Sequence, residues 1–193
     1  HTVPWPATST LNVKNSPYVN NCADVKNSYL CFSGTGMENS AYVVLFTTVK
    51  DSLDLYESRH SELCYDCYMV DEAYRVFFSV NVEECTDVWF SRNMLGCQNC
   101  FGCVNLRNKQ YHVFNKPYSK EDYRKFLDGL DLGSYAIVEE WRQKAHEFWT
   151  KHPMRFTLAI NVTNSTGEHI ERTKNVHDSY SIHESENVRY SQF

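Results

Sequence analysis

The sequence predicts a mainly β protein, a parallel β-solenoid with an inserted α-helical hairpin. A 12-residue pattern recurs along much of the 193-residue chain. Its units are rich in β-branched and aromatic residues and lack helical periodicity. One helix-forming segment interrupts the pattern. Hydrophobic residues make up 42% of the chain and charged residues 22%, which is typical of a folded domain and excludes wholesale disorder.

The repeat is visible when VKNSPYV, from Val13, is aligned with VKNSYLC, from Val25. A small residue recurs at steps of 12, with one shortened step of 9, and then the pattern returns near the end at Val176 and Val188. These small residues are Ser16, Ser28, Ser40, Ser52, Cys64, Ala73, Cys85 and Cys97. Asn or an acid precedes most of them. Four places after them an aromatic residue is common, as at Phe32, Tyr56, Tyr68, Phe77, Trp89 and Phe101.

Such a repeat cannot bury its own apolar side chains, so equivalent positions are expected to stack about 4.8 Å apart and form a continuous core. Asn and Asp suit the bends, because they tolerate left-handed backbone, and stacked Asn amides can bond to one another. Two repeats per coil, about 24 residues, are favoured because they leave room for aromatic side chains inside. One repeat per coil would instead stack Lys26, Glu38, Lys50 and Glu62 as alternating charges.

Between Pro117 and Pro153 the composition changes to Lys, Glu, Arg and other helix-favouring residues. Ser119 can cap a helix that runs to about Asp128, and Ser134 can cap a second helix. The second helix carries an apolar stripe, namely Val138, Trp141, Ala145 and Phe148. This stripe is expected to cover the solenoid, with a partner protein as the alternative. Met154–Val162 is predicted to be a returning strand. The predicted organisation is one structural domain with solenoid repeats in 1–116, a helical insertion packed on them in 117–153 and the strand and final repeats in 154–193.

Cysteines at metal-ligand spacing raise the alternative of a zinc site. The candidate ligands are Cys64, Cys67, Cys97, Cys100 and Cys103. The repeat explains the same spacing without a metal, because these residues replace Ser, Val or Leu at inward positions. Buried core thiols and no cofactor are therefore the preferred interpretation. Disulfides would need an oxidising compartment, and the unpaired-looking cysteines favour the cytoplasm.

The run GCQNCFGCVNLRNKQYHVFNKPYSKEDY, from Gly96 to Tyr123, resembles a segment of a large uncharacterised family of metagenomic proteins, mainly from candidate-phyla bacteria. The resemblance covers most of the chain. It implies zinc-ribbon-type Cys pairs followed by Cys/Asn-rich repeats, this segment, a helical insert and a short resumption of repeats. The zinc-ribbon part is absent here, so the resemblance carries over no metal or nucleic-acid role and supports the architecture alone.

Two groups of polar residues are candidate sites. Basic and amide side chains beside aromatic residues could bind a phosphate, a carboxylate or a sugar, or could join the last coil to the helical insert. These are Asn105, Arg107, Lys109, Asn115 and Lys116. The carboxylates of Asp54, Asp66 and Asp87 lie two places after the small residue of their repeats and could supply an acid/base pair, although solvated turn carboxylates are commoner.

The function predicted from this architecture is a non-catalytic scaffold or assembly module that binds a protein partner or itself. A carbohydrate-active β-helix enzyme is the alternative from another class. A nucleic-acid-associated module is a third possibility, which the net charge of -5 disfavours. No apolar run approaches about 18 residues, so no membrane span is expected. The start at His1, without signal-peptide features, suggests a fragment or a processed chain.

Overall fold

The computed structural model describes residues 8–155 and 157–192. Within them the chain forms sixteen strands and two helices, and thirteen of the strands belong to one long, mostly parallel sheet, so the protein is mainly β as predicted. The chain divides into an N-terminal unit, 1–152, and a C-terminal unit, 153–193. The elements are β1 Thr10–Lys14, β2 Asn20–Lys26, β3 Tyr29–Glu38, β4 Ala41–Lys50, β5 Leu53–Glu62, β6 Tyr65–Asp71, β7 Tyr74–Phe77, β8 Val80–Glu83, β9 Thr86–Trp89, β10 Arg92–Leu95, β11 Gln98–Phe101, β12 Gln110–Val113, β13 Lys116–Pro117, α1 Lys120–Asp128, α2 Tyr135–Thr150, β14 Ala159–Ile160, β15 Gly167–Glu171 and β16 Ser179–His183.

Parallel pairing in the N-terminal unit joins each residue to the one 12 positions later. Thr10 pairs with Cys22 at the start of the ladder, and Gln98 pairs with Gln110 near its end. The ladder stops where β13 turns back antiparallel onto β12. Pro117 lies on this last strand. Its missing N–H and the short length of the strand discourage pairing of a further strand with this edge of the sheet.

This register corrects the expected coil size. Two repeats per coil would place residues about 24 apart in register, whereas the observed pairs are 12 apart, so that part of the prediction is wrong. Lys26, Glu38, Lys50 and Glu62 do form one alternating ladder, and Lys26 Nζ lies 2.7 Å from Glu38 Oε1. Two repeats were expected in order to make room for aromatic side chains, but most aromatic side chains are not part of the central buried cluster. The central buried cluster contains small and aliphatic side chains together with Phe46.

A three-residue period underlies the 12-residue repeat. Every third residue from 12 to 114 has φ between 46° and 73°, in the left-handed region. The side chain that follows each of them is usually buried, as at Val19, Cys22, Val25 and Ser28. Asn, Asp and Gly occur often at the left-handed positions because they adopt this conformation at the lowest cost. Each 12-residue repeat therefore presents four inward positions, and residues 12 apart form a column.

The serine column, which contains residues 16, 28, 40, 52 and 64, confirms that like residues lie over one another. The backbone N–H of Ser40 donates to Oγ of Ser28 at 3.3 Å, and that of Ser52 donates to Oγ of Ser40 at 3.1 Å. Each hydroxyl also donates to a carbonyl two residues earlier, at 2.8 Å for Ser40 and 2.7 Å for Ser52. Serine fits this column because one small side chain satisfies a buried N–H and a carbonyl together.

An Asn/Asp ladder runs beside the serine column, as the sequence predicts. Nδ2 of Asn15 donates to Oδ1 of Asn27, and Nδ2 of Asn27 donates to Oδ1 of Asn39, both at 3.1 Å. Nδ2 of Asn39 then donates to Oδ1 of Asp51 at 2.9 Å. All four residues have positive φ. These side chains therefore favour the bends and join consecutive repeats.

The shortened step of 9 in the sequence pattern is not a narrower repeat. Tyr65 pairs with Phe77, so the register of 12 continues through this region. Since inward positions recur every three residues, small side chains can move from one column to the next without disturbing the ladder. Ala73, Cys85 and Cys97 lie in the column of Ser61, whereas Val76, Val88 and Cys100 continue the serine column.

The helical segment forms as predicted. Ser119 Oγ accepts the N–H of Asp122 at 3.1 Å and caps α1. Ser134 precedes α2 but makes no side-chain capping bond. The predicted stripe faces an apolar cluster, in which Ala145 is buried and Val138 and Trp141 are partly buried. Neither helix in the described part of the chain is long and apolar enough to cross a membrane.

The C-terminal unit contains a smaller parallel sheet of β14, β15 and β16. Ala159 pairs with Ile170, a spacing of 11, and Gly167 pairs with Ser179, a spacing of 12. Its buried cluster contains Ile170, Val176 and Ile182. Of the strand predicted over Met154–Val162, Ala159–Ile160 is in the ladder, and Phe156 lies outside the described residues.

Candidate binding surface

The aromatic face is the side of the N-terminal unit between the serine column and the next inward column. It contains two parallel rows. One is the ladder row Tyr29, Ala41, Leu53, Tyr65, Phe77, Trp89, Phe101 and Val113. The other is the left-handed row Tyr18, Leu30, Tyr42, Asp54, Asp66, Phe78, Phe90, Gly102 and Phe114. Because both rows follow the 12-residue register, apolar side chains stack along this face.

Helices α1 and α2 cover the part of the face between residues 77 and 114. The ring of Phe101 lies 5.1 Å from Phe126 of α1 and 5.2 Å from Trp141 of α2, between ring centres. Phe114 meets Phe148 of α2 at 5.1 Å. Phe101 is fully buried. The covered part of the aromatic face therefore forms a second apolar core between sheet and helices.

The part of the face from Tyr18 to Asp54 is the open part. Tyr18 is 70% exposed, Tyr29 39%, Tyr42 49% and Leu53 38%. The tyrosines contact each other edge to face, with ring centres 5.6 Å apart for Tyr18 and Tyr29 and 5.8 Å apart for Tyr29 and Tyr42. Large exposed apolar patches often mark places where another molecule binds.

A charged pair marks the boundary between the two parts. Arg142 of α2 places Nη2 2.5 Å from Oδ2 of Asp66, and its guanidinium carbon lies 5.0 Å from the ring centre of Phe78. Asp54 follows Asp66 at the next position toward the N-terminus in the same row. Burial and the neighbouring charge of Asp66 raise the pKa of Asp54 above its usual value. The open part thus ends at a carboxylate that a cation would stabilise.

The predicted basic and amide site is largely engaged in packing. Oδ1 of Asn105 accepts Nδ2 of Asn93 at 2.6 Å. Arg107 donates from Nη1 to the carbonyl of Asn93 at 2.6 Å and from Nη2 to its Oδ1 at 2.8 Å. Oδ1 of Asn115 accepts the backbone N–H of Val104 at 2.9 Å, and its Nδ2 donates to the carbonyl of Val104 at 3.0 Å. These three side chains join the last repeats, while Lys109 and Lys116 are exposed and lie outside that network.

The three candidate catalytic carboxylates do not form one group. Asp54 and Asp66 lie in the left-handed row of the aromatic face, and the Asp66 carboxylate is paired with Arg142. Asp87 lies in a different row, where its Oδ1 forms an ion pair with Nε of Arg75 at 2.9 Å. An acid/base pair needs two carboxyl groups that face one substrate. The ion pairs of Asp66 and Asp87 instead hold these groups in structural contacts.

All eight cysteines are buried and carry free thiols. Sγ of Cys64 donates to the carbonyl of Glu62 at 3.4 Å, and Sγ of Cys67 donates to that of Tyr65 at 3.3 Å. Side-chain hydrogen bonds to Cys103 and Cys97, together with burial, raise the pKa of Cys100. Across residues 8–155 and 157–192, no three His, Cys, Asp or Glu side chains are grouped closely enough to hold a metal ion. The thiols occupy the same inward columns as serine and valine.

Replacing Cys64 by serine is expected to flatten the alkaline loss of stability. Burial raises the pKa of Cys64 from 9.0 to about 11. Above pH 9 the unfolded thiol loses its proton first, so unfolding becomes easier as the pH rises toward 11. For one thiol this lowers the free energy of unfolding by about 1 kcal/mol between pH 8 and pH 10. Urea denaturation of wild type and Cys64→Ser at both pH values measures the difference.

Serine is a matched substitution at this position because Ser52 and Ser40 already occupy the column. The charge of Cys64 also raises the pKa of the neighbouring Cys67, so the difference between the two pH dependences reports Cys64 together with its effect on Cys67. Identical loss of stability in wild type and Cys64→Ser would contradict a buried, protonated thiol at this position.

The aromatic face is the surface that sequence reasoning missed. The sequence pattern was aligned with a step of 9 between Cys64 and Ala73. This alignment put two sets of aromatic residues in one row, namely Phe32, Tyr56 and Tyr68 and, after the step, Phe77, Trp89 and Phe101. In the structure the two sets lie in different rows of the sheet. An uninterrupted count of 12 would have aligned Tyr29, Tyr65, Phe77, Trp89 and Phe101. The signal was therefore present in the spacing.

Comparison of the chain with protein-family models finds no match, and comparison with curated proteins finds none either.

Proposed function

We propose that the N-terminal unit closes into a β-solenoid with one 12-residue repeat per coil and acts as a non-catalytic scaffold. Its aromatic face binds a protein partner. The register of 12 and the four inward positions per repeat support a closed coil, because each bend turns the chain and each inward side chain adds to a central core. Ladder, serine and Asn/Asp hydrogen bonds between consecutive repeats make such a coil stack rigid.

One observation carries the binding role. The apolar rows that α1 and α2 cover between residues 77 and 114 continue from Tyr18 to Leu53, where neither helix of the described residues covers them. A soluble protein rarely leaves a contiguous apolar patch exposed without a use for it, and rigid repeats present such a patch at low entropic cost. The predicted assembly role is therefore assigned to this part of the surface.

Deletion of one whole repeat tests the scaffold. Removing residues 41–52 joins Ser40 to Leu53, keeps the three-residue phase and leaves all later pairs in register. It also removes Phe46, so that Gly34 meets Ser58 in the shortened column. We expect this variant to have the same oligomeric state as the wild type. Its far-UV circular dichroism per residue should be unchanged, and it should unfold in one cooperative transition.

The matched control removes fewer residues. Deletion of residues 41–50 shifts all later inward side chains out of phase, so we expect it to lose cooperative unfolding. A 41–52 deletion that does not fold, or a 41–50 deletion that folds equally well, would overturn the one-repeat coil and with it the scaffold proposal.

The carbohydrate-active alternative has one specific observation in its favour. An open groove of about 740 Å³ in the C-terminal unit is lined by two carboxylates, Glu168 and Asp178, and by Tyr180 and Tyr190. Aromatic platforms beside carboxylates are typical of sugar sites. Incubation with a panel of polysaccharides tests it: new reducing ends or unsaturated products that Glu168→Gln abolishes would favour this alternative, and their absence across the panel would remove it.

A further inference from the structure

We propose that the open part of the aromatic face binds an amphipathic helix of a partner protein, and that an arginine or lysine of this helix pairs with Asp54. The inference rests on the proposed scaffold function and names the class of partner. The occupant is assigned from two features of the face, its continuity with the helix-covered part and the charge at its boundary.

Continuity indicates a helix. In the covered part, Phe101 of the ladder row contacts Phe126 of α1 and Trp141 of α2. Phe114 of the left-handed row also contacts Trp141. In the open part the rows present Tyr18, Tyr29 and Tyr42 with Leu53 at the same register positions. Stacked side chains along one face form a shallow apolar strip that matches the stripe of an amphipathic helix.

The charge at the boundary indicates a basic residue on that helix. Asp66 is satisfied by Arg142, which also lies over Phe78. Asp54 repeats the position of Asp66, and in the described part of the chain it forms no ion pair or hydrogen bond. Burial and the charge of Asp66 already raise its pKa. A guanidinium or ammonium group over Asp54 would remove this electrostatic cost in the way that Arg142 does at Asp66.

The length of the strip limits the size of the contact. From Tyr18 to Asp54 the left-handed row advances by three repeats, which corresponds to about 14 Å at the usual spacing between strands. A helix of about ten residues spans that distance. The partner therefore needs an apolar stripe of about three turns, with its basic residue near the end that meets Asp54.

A peptide of residues 134–152 is a suitable probe, because it contains the Trp141–Arg142 pair that already binds this kind of surface. We expect the fluorescently labelled peptide to bind the full chain saturably in anisotropy titrations. Asp54→Lys should weaken binding by up to about five-fold, since one exposed ion pair is worth up to about 1 kcal/mol. A peptide carrying Arg142→Glu should reverse this preference and bind the Asp54→Lys chain better than the wild type.

Two further variants separate the aromatic contact from non-specific adhesion. Tyr29→Ser with Tyr42→Ser should weaken both peptides about ten-fold, as loss of two interface anchors would. Tyr68→Ser lies on a different row and should leave binding unchanged. Failure of both peptides to bind, or binding insensitive to the charge at position 54, overturns the inference. If the repeat-deletion variant still folds, the scaffold itself survives that failure.

Self-association is the remaining outcome to measure. Sedimentation equilibrium of the full chain that reveals a dimer, dissociated by Tyr29→Ser with Tyr42→Ser, would identify a second copy as the occupant. That result would overturn the helical partner while retaining an assembly role for the aromatic face. A monomeric chain that binds the peptide with charge-swap specificity supports the proposal.

Discussion

Gly34→Ala is expected to destabilise the N-terminal unit by about 3 kcal/mol or more, because overpacking of an unyielding core site is costly. Gly34 lies in an inward column, directly against the ring of Phe46 in the central core. A Cβ at Gly34 would lie 2.3 Å from the carbonyl oxygen of Phe46 and 2.6 Å from its Cγ. The carbonyl belongs to the ladder, so it cannot move without breaking inter-repeat hydrogen bonds.

The measurement is the free energy of unfolding from urea or thermal denaturation of the purified chain. Gly133→Ala is the matched control, since a Cβ there meets no atom closer than 3.5 Å and the residue does not have positive φ. We expect that control to change stability by less than about 0.5 kcal/mol. Combining Gly34→Ala with Phe46→Ala should cost less than the sum of the two single variants, because the second change removes the ring contact and leaves the carbonyl contact. Equal stability of Gly34→Ala and Gly133→Ala would contradict the close contact between Gly34 and Phe46.

Phe101→Ala should cost about 3–5 kcal/mol and loosen the helices from the sheet. Phe101 is fully buried, and its ring contacts Phe90, Phe126 and Trp141 at centre distances of 5.2, 5.1 and 5.2 Å. Truncation leaves a cavity at the point where both helices meet the aromatic face. Denaturation reports the lost stability, and a red shift of the tryptophan emission reports exposure of the tryptophans packed on this cluster, Trp89, Trp141 and Trp149.

Tyr29→Ala is the control for this prediction because Tyr29 occupies the same ladder row in the open part. Its side chain is 39% exposed, so we expect a loss below about 1 kcal/mol. The pair of variants separates burial by the helices from the row position itself. A Phe101→Ala protein as stable as Tyr29→Ala would mean that the helices contribute no core to this face.

Part of the candidate surface was predictable and part was not. The apolar stripe of α2 and the aromatic repeat are both visible in the sequence, and together they predict a helix packed on repeats. The boundary at Asp66 was not, because Arg142 is 76 residues away along the chain and the ion pair depends on where α2 lies. The candidate role of Arg107 was likewise open until the structure placed its guanidinium on Asn93.

Local chemistry was sufficient to establish the repeating β architecture, the serine stack, the Asn/Asp ladder and the two helices, since each depends on residue types a few positions apart or on a periodic pattern. Long-range packing decided that paired residues are one 12-residue repeat apart and not two, and it left an open strip beside a covered one. Inward positions recur every three residues, so several column alignments satisfy the same sequence pattern. Only hydrogen bonding between consecutive repeats and the position of the helices distinguish among them.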